Sequence, residues 1–384
     1  MVNKFIYFTS AMDNNSFKEY LSNWSVSPNL SNQNFHNKLI RSLAINHDID
    51  VISVRSINRH YKEKKLNAKI VRENNIFWKY PYVSRNKIDK YFKLFKRIKN
   101  ISMQDSRLIF VDVLNLSLLK NAIKYREKFN IKIVGVCTDS PYNISFMKER
   151  YKKKLLELGR SLDGYIVLTK KIEELYNINN KPCVCIDGVS EEVKTVVPTS
   201  VEGKYIYFGG SLMKEYGVYN LIEAFKKLER NDLKLIICGH HVDKNKLYSE
   251  IKGNDNIVYL GPISYEENIA LERDALVAVN PRPQNPKIDE YSIPSKTLEF
   301  LSNGTLTISV ENELLKKHYE PCIVWAKSGE VEDLHEALTK ALSLNKTERE
   351  ILSLLGKNKV MQYTSLENIN AQINEELISK ILLD

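Results

Sequence analysis

The residues best placed to do chemistry are Lys296 and Glu299, which stand three apart in the run NPRPQNPKIDEYSIPSKTLEFLSNGT from Asn280 to Thr305. A lysine brings a compact positive charge and a glutamate two acceptor oxygens. At that spacing on a helix the two share one side. The surrounding chain predicts such a helix. Ile293 precedes a proline and is therefore extended, Pro294 suits a first helical turn with Ser292 or a neighbour as cap, and Asn303-Gly304 stops the helix after about Ser302. The free N–H groups of the first turn, at Ser295 and Lys296, join the positive end of the helix dipole to make an anion site, which the Lys296 ammonium reinforces. Glu299 is suited to accept hydrogen bonds from a ribose diol. This is the chemistry a nucleoside diphosphate requires, although a capped surface helix with a solvated Lys and Glu reads the same in isolation.

Those residues need elements to hold them. The preceding DALVAVNP is apolar and strand-like and delivers the loop at a strand's carboxyl end, where open α/β sheets bind their ligands. Upstream, Tyr205 to Phe208 reads as a strand, Gly209-Gly210-Ser211-Leu212 as a turn, and Tyr216 to Phe225 as the start of an amphipathic helix. Leu233 to Cys238 and Ile257 to Gly261 are further strands. Strands alternating with helical patterns predict a parallel sheet with crossover helices. Gly239-His240-His241 follows one of them; no third His or Cys stands at metal-ligand spacing, so His240 is assigned near a base or phosphate, or to a polar loop.

The N-terminal half repeats the pattern. Lys4 to Thr9, Asp50 to Val54, Arg107 to Val111, Ile131 to Val136 and Gly164 to Leu168 read as strands, with helices such as Gln33 to Ala44 and Leu116 to Lys128 between them. Two loops follow strand ends: Thr9 to Phe35, and Thr138-Asp139-Ser140-Pro141-Tyr142-Asn143. Asp139, before a proline turn, either binds substrate hydroxyls and manages a proton or simply builds an Asx-turn.

At family level, the stretch Asn280-Pro281-Arg282, Tyr291-Ser292-Ile293-Pro294-Ser295-Lys296-Thr297-Leu298-Glu299-Phe300 and Asn303-Gly304 resembles the donor domain of retaining family 4 glycosyltransferases of GT-B fold, in a bacterial subgroup that builds polysaccharide and glycoprotein glycans. The resemblance implies an α/β chain of two Rossmann-like domains facing a central cleft. It implies a nucleotide-sugar donor, a UDP-sugar favoured, whose sugar passes to a hydroxyl of a lipid-linked or protein-linked saccharide, with retention and without a metal or other cofactor. Lys296, Arg282 and Asp139 would be the catalytic residues. Glu299, Ser295, Pro294, Ser292, Tyr291, Gly210, Ser211, Lys214 and His240 would line the donor. The run SPNLSNQNFHNKLIRSL resembles the family's acceptor loop, which points to His36 and Asn34 beside Asp139. Three positions depart from the family pattern: Tyr291 stands where many members carry a first glutamate, and Ser211 and Tyr216 where many carry Arg and Lys. Such departures also fit a non-catalytic scaffold of the same fold, and a nucleotide-sugar epimerase is a third reading.

Length and composition set the limits. The 384 residues suit two domains and are 43% hydrophobic without a membrane-length apolar run. The expected division is 1–192 for an acceptor domain, 193–200 for a linker, 201–364 for a donor domain and 365–384 for C-terminal helices returning to the first. Five cysteines, mostly in apolar strand-like runs, read as buried thiols of a reducing compartment. No signal-peptide pattern opens the chain, so a cytoplasmic protein is expected. The net charge of +10 is uneven: residues 1–192 hold 34 Lys/Arg against 19 Asp/Glu, the rest 23 against 28. Ser84 to Asn100 concentrates the positive charge around Ile88, Tyr91, Phe92, Phe95 and Ile98 at helical spacing. That pattern either lies on an anionic membrane surface or shows its apolar stripe to the protein's own core. No helix-turn-helix, zinc knuckle or stacking platform accompanies the charge, and no nucleic-acid partner is expected.

Overall fold

The computed structural model describes residues 3–24, 30–85, 106–144, 147–192, 197–199, 201–240 and 243–383. The chain forms two compact units, residues 1–189 with 366–384, and residues 190–365. The first segment of unit 1 ends at Val189, three residues before the expected 192, and most of the expected 193–200 linker lies outside the described residues, as does Ser84 to Asn100 beyond Arg85.

Unit 1 is built on eight strands: β1 (Lys4–Thr9), β2 (Asp48–Ser53), β3 (Lys69–Glu73), β4 (Ile76–Tyr80), β5 (Leu108–Asp112), β6 (Lys132–Cys137), β7 (Gly164–Val167) and β8 (Cys183–Cys185). Their order is β8-β7-β6-β5-β1-β2-β4-β3, parallel except for β3 on the edge. The chain winds both ways from β1, so the topological switch lies between β1 and β5. Leu108–Asp112 is buried along its whole length and Lys4–Thr9 in all but its first residue, which is why they read as nearly continuous apolar runs. The β3–β4 hairpin had no such signal: its residues alternate in burial and Asn74 turns the corner at φ 50. The loop expected from Thr9 to Phe35 contains a helix, Asn14–Ser22, whose N-cap Asp13 accepts from Ser16 N. The helix that follows, α1 (Leu30–Leu43), starts three residues before the expected Gln33.

Unit 2 holds a six-stranded, fully parallel sheet in the order β11-β10-β9-β12-β13-β14. The strands are β9 (Lys204–Ser211), β10 (Leu233–His240), β11 (Ile257–Gly261), β12 (Val277–Asn280), β13 (Thr307–Val310) and β14 (Ile323–Ala326). Its switch point lies between β9 and β12. Three helices matter to the site: α2 (Val218–Lys226), α3 (Tyr265–Asp274) and α4 (Ser295–Ser302). The Gly-Gly pair predicted as a turn is instead the end of β9, where Gly210 pairs with Gly239 and Ser211 with His240 in the parallel ladder. The turn comes later: Gly217, at φ 79, carries the chain into α2, and a Cβ there would fall 2.1 Å from the Pro281 carbonyl oxygen.

The final helices, α5 (Leu366–Ile373) and α6 (Ser379–Leu383) with a π-helical turn between them, belong to unit 1. Ile369, Ile373, Leu377 and Ile381 enter its core, and Ser42 Oγ donates to the Leu366 carbonyl at 2.7 Å. Among the described residues no helix is long and apolar enough to cross a membrane.

Candidate functional site

Helix α4 is held at the carboxyl edge of the unit 2 sheet by its apolar face and by a polar seam. Leu298, Phe300 and Leu301 are buried. Asn280 Nδ2, at the end of β12, donates to Thr297 Oγ1 at 2.9 Å, and Thr297 Oγ1 lies 3.2 Å from Ser309 Oγ at the end of β13. The first turn of α4 is thereby tied to both strand ends. Its N-cap is Pro294, which has no side chain able to cap; Ser292, expected as the cap, does not serve. The reason is geometric. Pro294 sits outside the first turn with ψ 94, and its carbonyl already accepts from Thr297 N. No side-chain cap bond forms at this end, which suits an anion site.

Lys296 and Glu299 meet as the spacing predicted, with Nζ 3.1 Å from Glu299 Oε2. A third charged group, invisible in the sequence reading, completes the cluster. Glu272 on α3 is fully buried, and its Oε1 lies 3.3 Å from Lys296 Nζ. Asn268 Nδ2 donates to the same Oε1 at 2.5 Å and approaches Glu299 Oε1 at 3.3 Å. Asn303 Nδ2 donates to Glu272 Oε2 at 2.7 Å, and Tyr207 O–H donates to Asn268 Oδ1 at 2.8 Å. The Asn303-Gly304 pair that ends α4 thus also anchors the buried carboxylate.

Burial raises the Glu272 carboxyl to about 8, and the Glu299 charge adds to the rise, against the pull of Lys296 and the Asn268 hydrogen bond. Desolvation opposes the charge on Lys296, but the two carboxylates outweigh it and hold the ammonium protonated. Although crowded by protein, the Lys296 side chain keeps 34% of its surface open. That face is where an anion can approach.

The other expected donor-side residues fall around this centre in several ways. Gly210 and Ser211 end β9 at the switch point, and Ser211 Oγ is shielded from solvent without a hydrogen-bond partner among the described residues. Such an orphaned hydroxyl is a place for a ligand oxygen. Lys214 is exposed in a short turn between β9 and α2. His240 ends β10, while His241 lies outside the described residues. Tyr291 is half-buried, and Ser295 is exposed at the head of α4. Arg282 is 3.4 Å from Asp289 Oδ1, in an ion pair of its own loop.

In unit 1 the polar residues gather at the β1/β5 switch. His36 is fully buried: Nδ1 lies 2.6 Å from Tyr7 O–H, and Nε2 faces Asp112 Oδ2 at 3.7 Å. Burial lowers the His36 pKa against the pull of Asp112, and burial raises that of Tyr7, so both are neutral. A Tyr7 hydroxyl donating to Nδ1 leaves the ring proton on Nε2, toward Asp112. Asn32 Nδ2 reaches Ser10 Oγ at 3.3 Å and Asp112 Oδ2 at 3.5 Å. Asn34 is exposed and takes no part; the residue facing the switch is Asn32, half a turn earlier on α1. Asp139 sits just past β6, and its Oδ1 accepts from Ser140 N at 2.6 Å and Asn143 Nδ2 at 2.8 Å, so that oxygen shapes its own turn. A groove of about 410 Å³ along Tyr142, Lys153, Arg160 and Ile178 lies elsewhere in unit 1.

Residues 189–353 match the family model described as Glycosyl transferases group 1, a domain that coincides with most of unit 2. No curated protein matches the chain in sequence. Among solved structures, the sucrose-phosphate synthase of Thermosynechococcus elongatus superposes with a TM-score of 0.71 at 14% identity, covering 100% of both chains. A UDP-forming trehalose-phosphate synthase from Burkholderia xenovorans gives 0.67 at 12% identity, covering 99% of each. Anabaena HepE, solved with UDP and glucose, gives 0.63 at 11%, covering 97% of this chain and 99% of its own. At such identities the likeness concerns the fold, which is the α/β class of the GT-B glycosyltransferases, as the sequence resemblance implied.

Proposed function

We propose that this chain is a retaining glycosyltransferase that moves a sugar from a nucleotide-sugar, with a UDP-sugar favoured, to a hydroxyl of a saccharide acceptor. The observation that carries the reading is the Lys296–Glu299 pair on a helix without a side-chain cap, tied to the carboxyl ends of β12 and β13 beside the switch point. It lies within the residues that match the glycosyltransferase model. The Lys296 ammonium and the first-turn amides stabilise the charge that develops on the departing diphosphate. Glu299 receives the ribose hydroxyls and fixes the donor in place.

In the reaction the bond from the anomeric carbon to the phosphate oxygen breaks, and a bond from the acceptor oxygen forms on the same face. The acceptor's proton passes to the leaving phosphate. No protein nucleophile is assigned, and no metal is needed for the charge that Lys296 supplies; turnover that persists in EDTA is the expected result. Asp112, Asn32 and Ser10 offer acceptor-hydroxyl partners in unit 1, beside the buried His36. The saccharide acceptor is proposed to be lipid-linked or protein-linked, in bacterial surface glycan assembly, with the protein in the cytoplasm or at the inner face of the membrane.

The test is thermal stability and calorimetry against UDP, GDP, UDP-sugars and GDP-mannose, with Lys296→Ala as control, followed by product analysis. Stabilisation by one nucleotide that is lost in the variant, and a transferred sugar of unchanged anomeric configuration, support the reading. Donor turnover without any acceptor identifies an epimerase instead. No response to any nucleotide removes the donor site and leaves a non-catalytic scaffold.

A further inference from the structure

Glu272 occupies an unusual electrostatic position. Its carboxylate has no exposed surface, and its two oxygens meet Asn268 Nδ2, Asn303 Nδ2 and Lys296 Nζ. Thr305 Oγ1 donates to its backbone carbonyl at 2.8 Å, which fixes the chain on that side. Of the three groups on the carboxylate only Lys296 is charged, and its side chain keeps a face open to solvent. One ammonium therefore neutralises a buried carboxylate and is at the same time the cation an incoming anion meets. It lies between that carboxylate and Glu299 as well.

We propose that Glu272 is a proton-accepting counter-charge, which holds the Lys296 ammonium in the empty site and takes up a proton from solvent when a nucleoside diphosphate engages that ammonium. The inference rests on the donor-site reading above. Bringing a diphosphate to Lys296 adds negative charge where two carboxylates already share one cation. Glu299 keeps 20% of its side chain exposed, so water relieves part of the repulsion; the Glu272 side chain has no exposed surface, and protonation is its relief. The chemistry of the shell permits it. Oε1 loses the ammonium's contact and gains the proton, while the Asn268 and Asn303 amides still donate to the remaining lone pairs.

The groups that face Glu272 leave it as the titrating partner. Lys296 on α4, Tyr207 on β9 and Tyr265 on α3 are all raised, and Cys238 on β10 is pushed up to about 12. Glu299 is the other carboxylate on the ammonium. Glu272 itself starts at about 8, with Lys296 pulling it down, so it is a carboxylate able to take up a proton above about pH 8 and is already largely protonated below it.

The test is calorimetry of the full chain with UDP at about pH 8.5 in buffers of different ionisation enthalpy; the terminal phosphate, with a second pKa of about 6, is already ionised there and contributes no uptake. Wild type should take up a fraction of a proton per UDP bound. Its affinity should fall as pH rises above about 8, approaching tenfold per unit. Glu272→Gln, neutral throughout, should show neither effect and should bind UDP at high pH at least as tightly as wild type. UDP binding by wild type without proton exchange, or equal uptake in Glu272→Gln, overturns the role of Glu272 alone. Should the variant not fold, the wild-type buffer series decides by itself. Absence of UDP binding by wild type overturns the donor site and this role with it.

Discussion

Lys296 Nζ stands 3.1 Å from Glu299 Oε2, one turn along the same face of α4. The two residues serve different stages of the proposed reaction, and their variants should separate in kinetics. Lys296→Ala removes the charge that meets the departing diphosphate, and kcat should fall by roughly 10²–10³. Glu299→Ala removes a charged acceptor worth about 1.5–3 kcal/mol per hydrogen bond, so its loss should appear mainly as a raised KM for the donor. Steady-state kinetics with the donor identified by calorimetry checks both. Unchanged kinetics in the pair would remove the site.

The backbone beneath the site is as constrained as the side chains. Gly239, at φ 143, lies so close to β9 that a Cβ would stand 1.7 Å from the Gly210 carbonyl oxygen. Gly239→Ala must push the ends of β9 and β10 apart, at a cost of about 3 kcal/mol or more. A lowered melting temperature together with weakened UDP binding is the expected outcome, because Gly210 and Ser211 move with the strand.

His36 gives unit 1 a pH dependence of known sign. Its folded-state pKa is lowered by burial, so the unfolded chain binds the proton more readily. The stability it contributes is present above the unfolded value of about 6.5 and is lost as pH falls from there through the folded value. His47, also lowered, adds in the same direction. Melting curves from about pH 7.5 down to 5 should fall more steeply for wild type than for His36→Gln. Parallel curves would assign the acid sensitivity to other groups.

The basic run Ser84 to Asn100 stands on its sequence. If it engages an anionic surface, each cation near the lipid contributes about 1 kcal/mol. Neutralising Lys93, Lys96 and Arg97 together should then release the protein from phosphatidylserine vesicles at moderate salt, as read by sedimentation. Equal binding before and after ends the membrane role.

The site was half legible in the chain. Pro294, Lys296, Glu299 and Asn303-Gly304 could be read because local chemistry dictates what each does: proline sets φ, the spacing sets the face, Asn-Gly ends the helix. Glu272 could not, since nothing local separates it from the exposed acids of YEENIALERD. The one available signal is that Asn268 and Glu272, four apart, share a face of α3, and that Glu272 directly follows the apolar run Ile269-Ala270-Leu271, which is buried. Arg282 and Asp139 illustrate the opposite difficulty: both have the right type at the right strand end, yet their polar atoms engage Asp289 in one case and Ser140 and Asn143 in the other. Asn34 was displaced by Asn32 for want of the true start of α1. The strands of both cores were visible as apolar runs, whereas the β3–β4 hairpin, polar on one face, was not.

The path of the last eighteen described residues has a consequence for synthesis. Unit 2 is an insertion within unit 1, and Leu377 and Ile381 press against Gly164, where a Cβ would meet their methyl groups at 2.9 and 2.5 Å. On the ribosome, unit 2 has its whole sequence available while unit 1 still lacks part of its interior. The order of maturation is therefore reversed from the order of translation: the domain begun first is finished last, and until then the surface of β7 at Gly164 waits, uncovered, for residues not yet made.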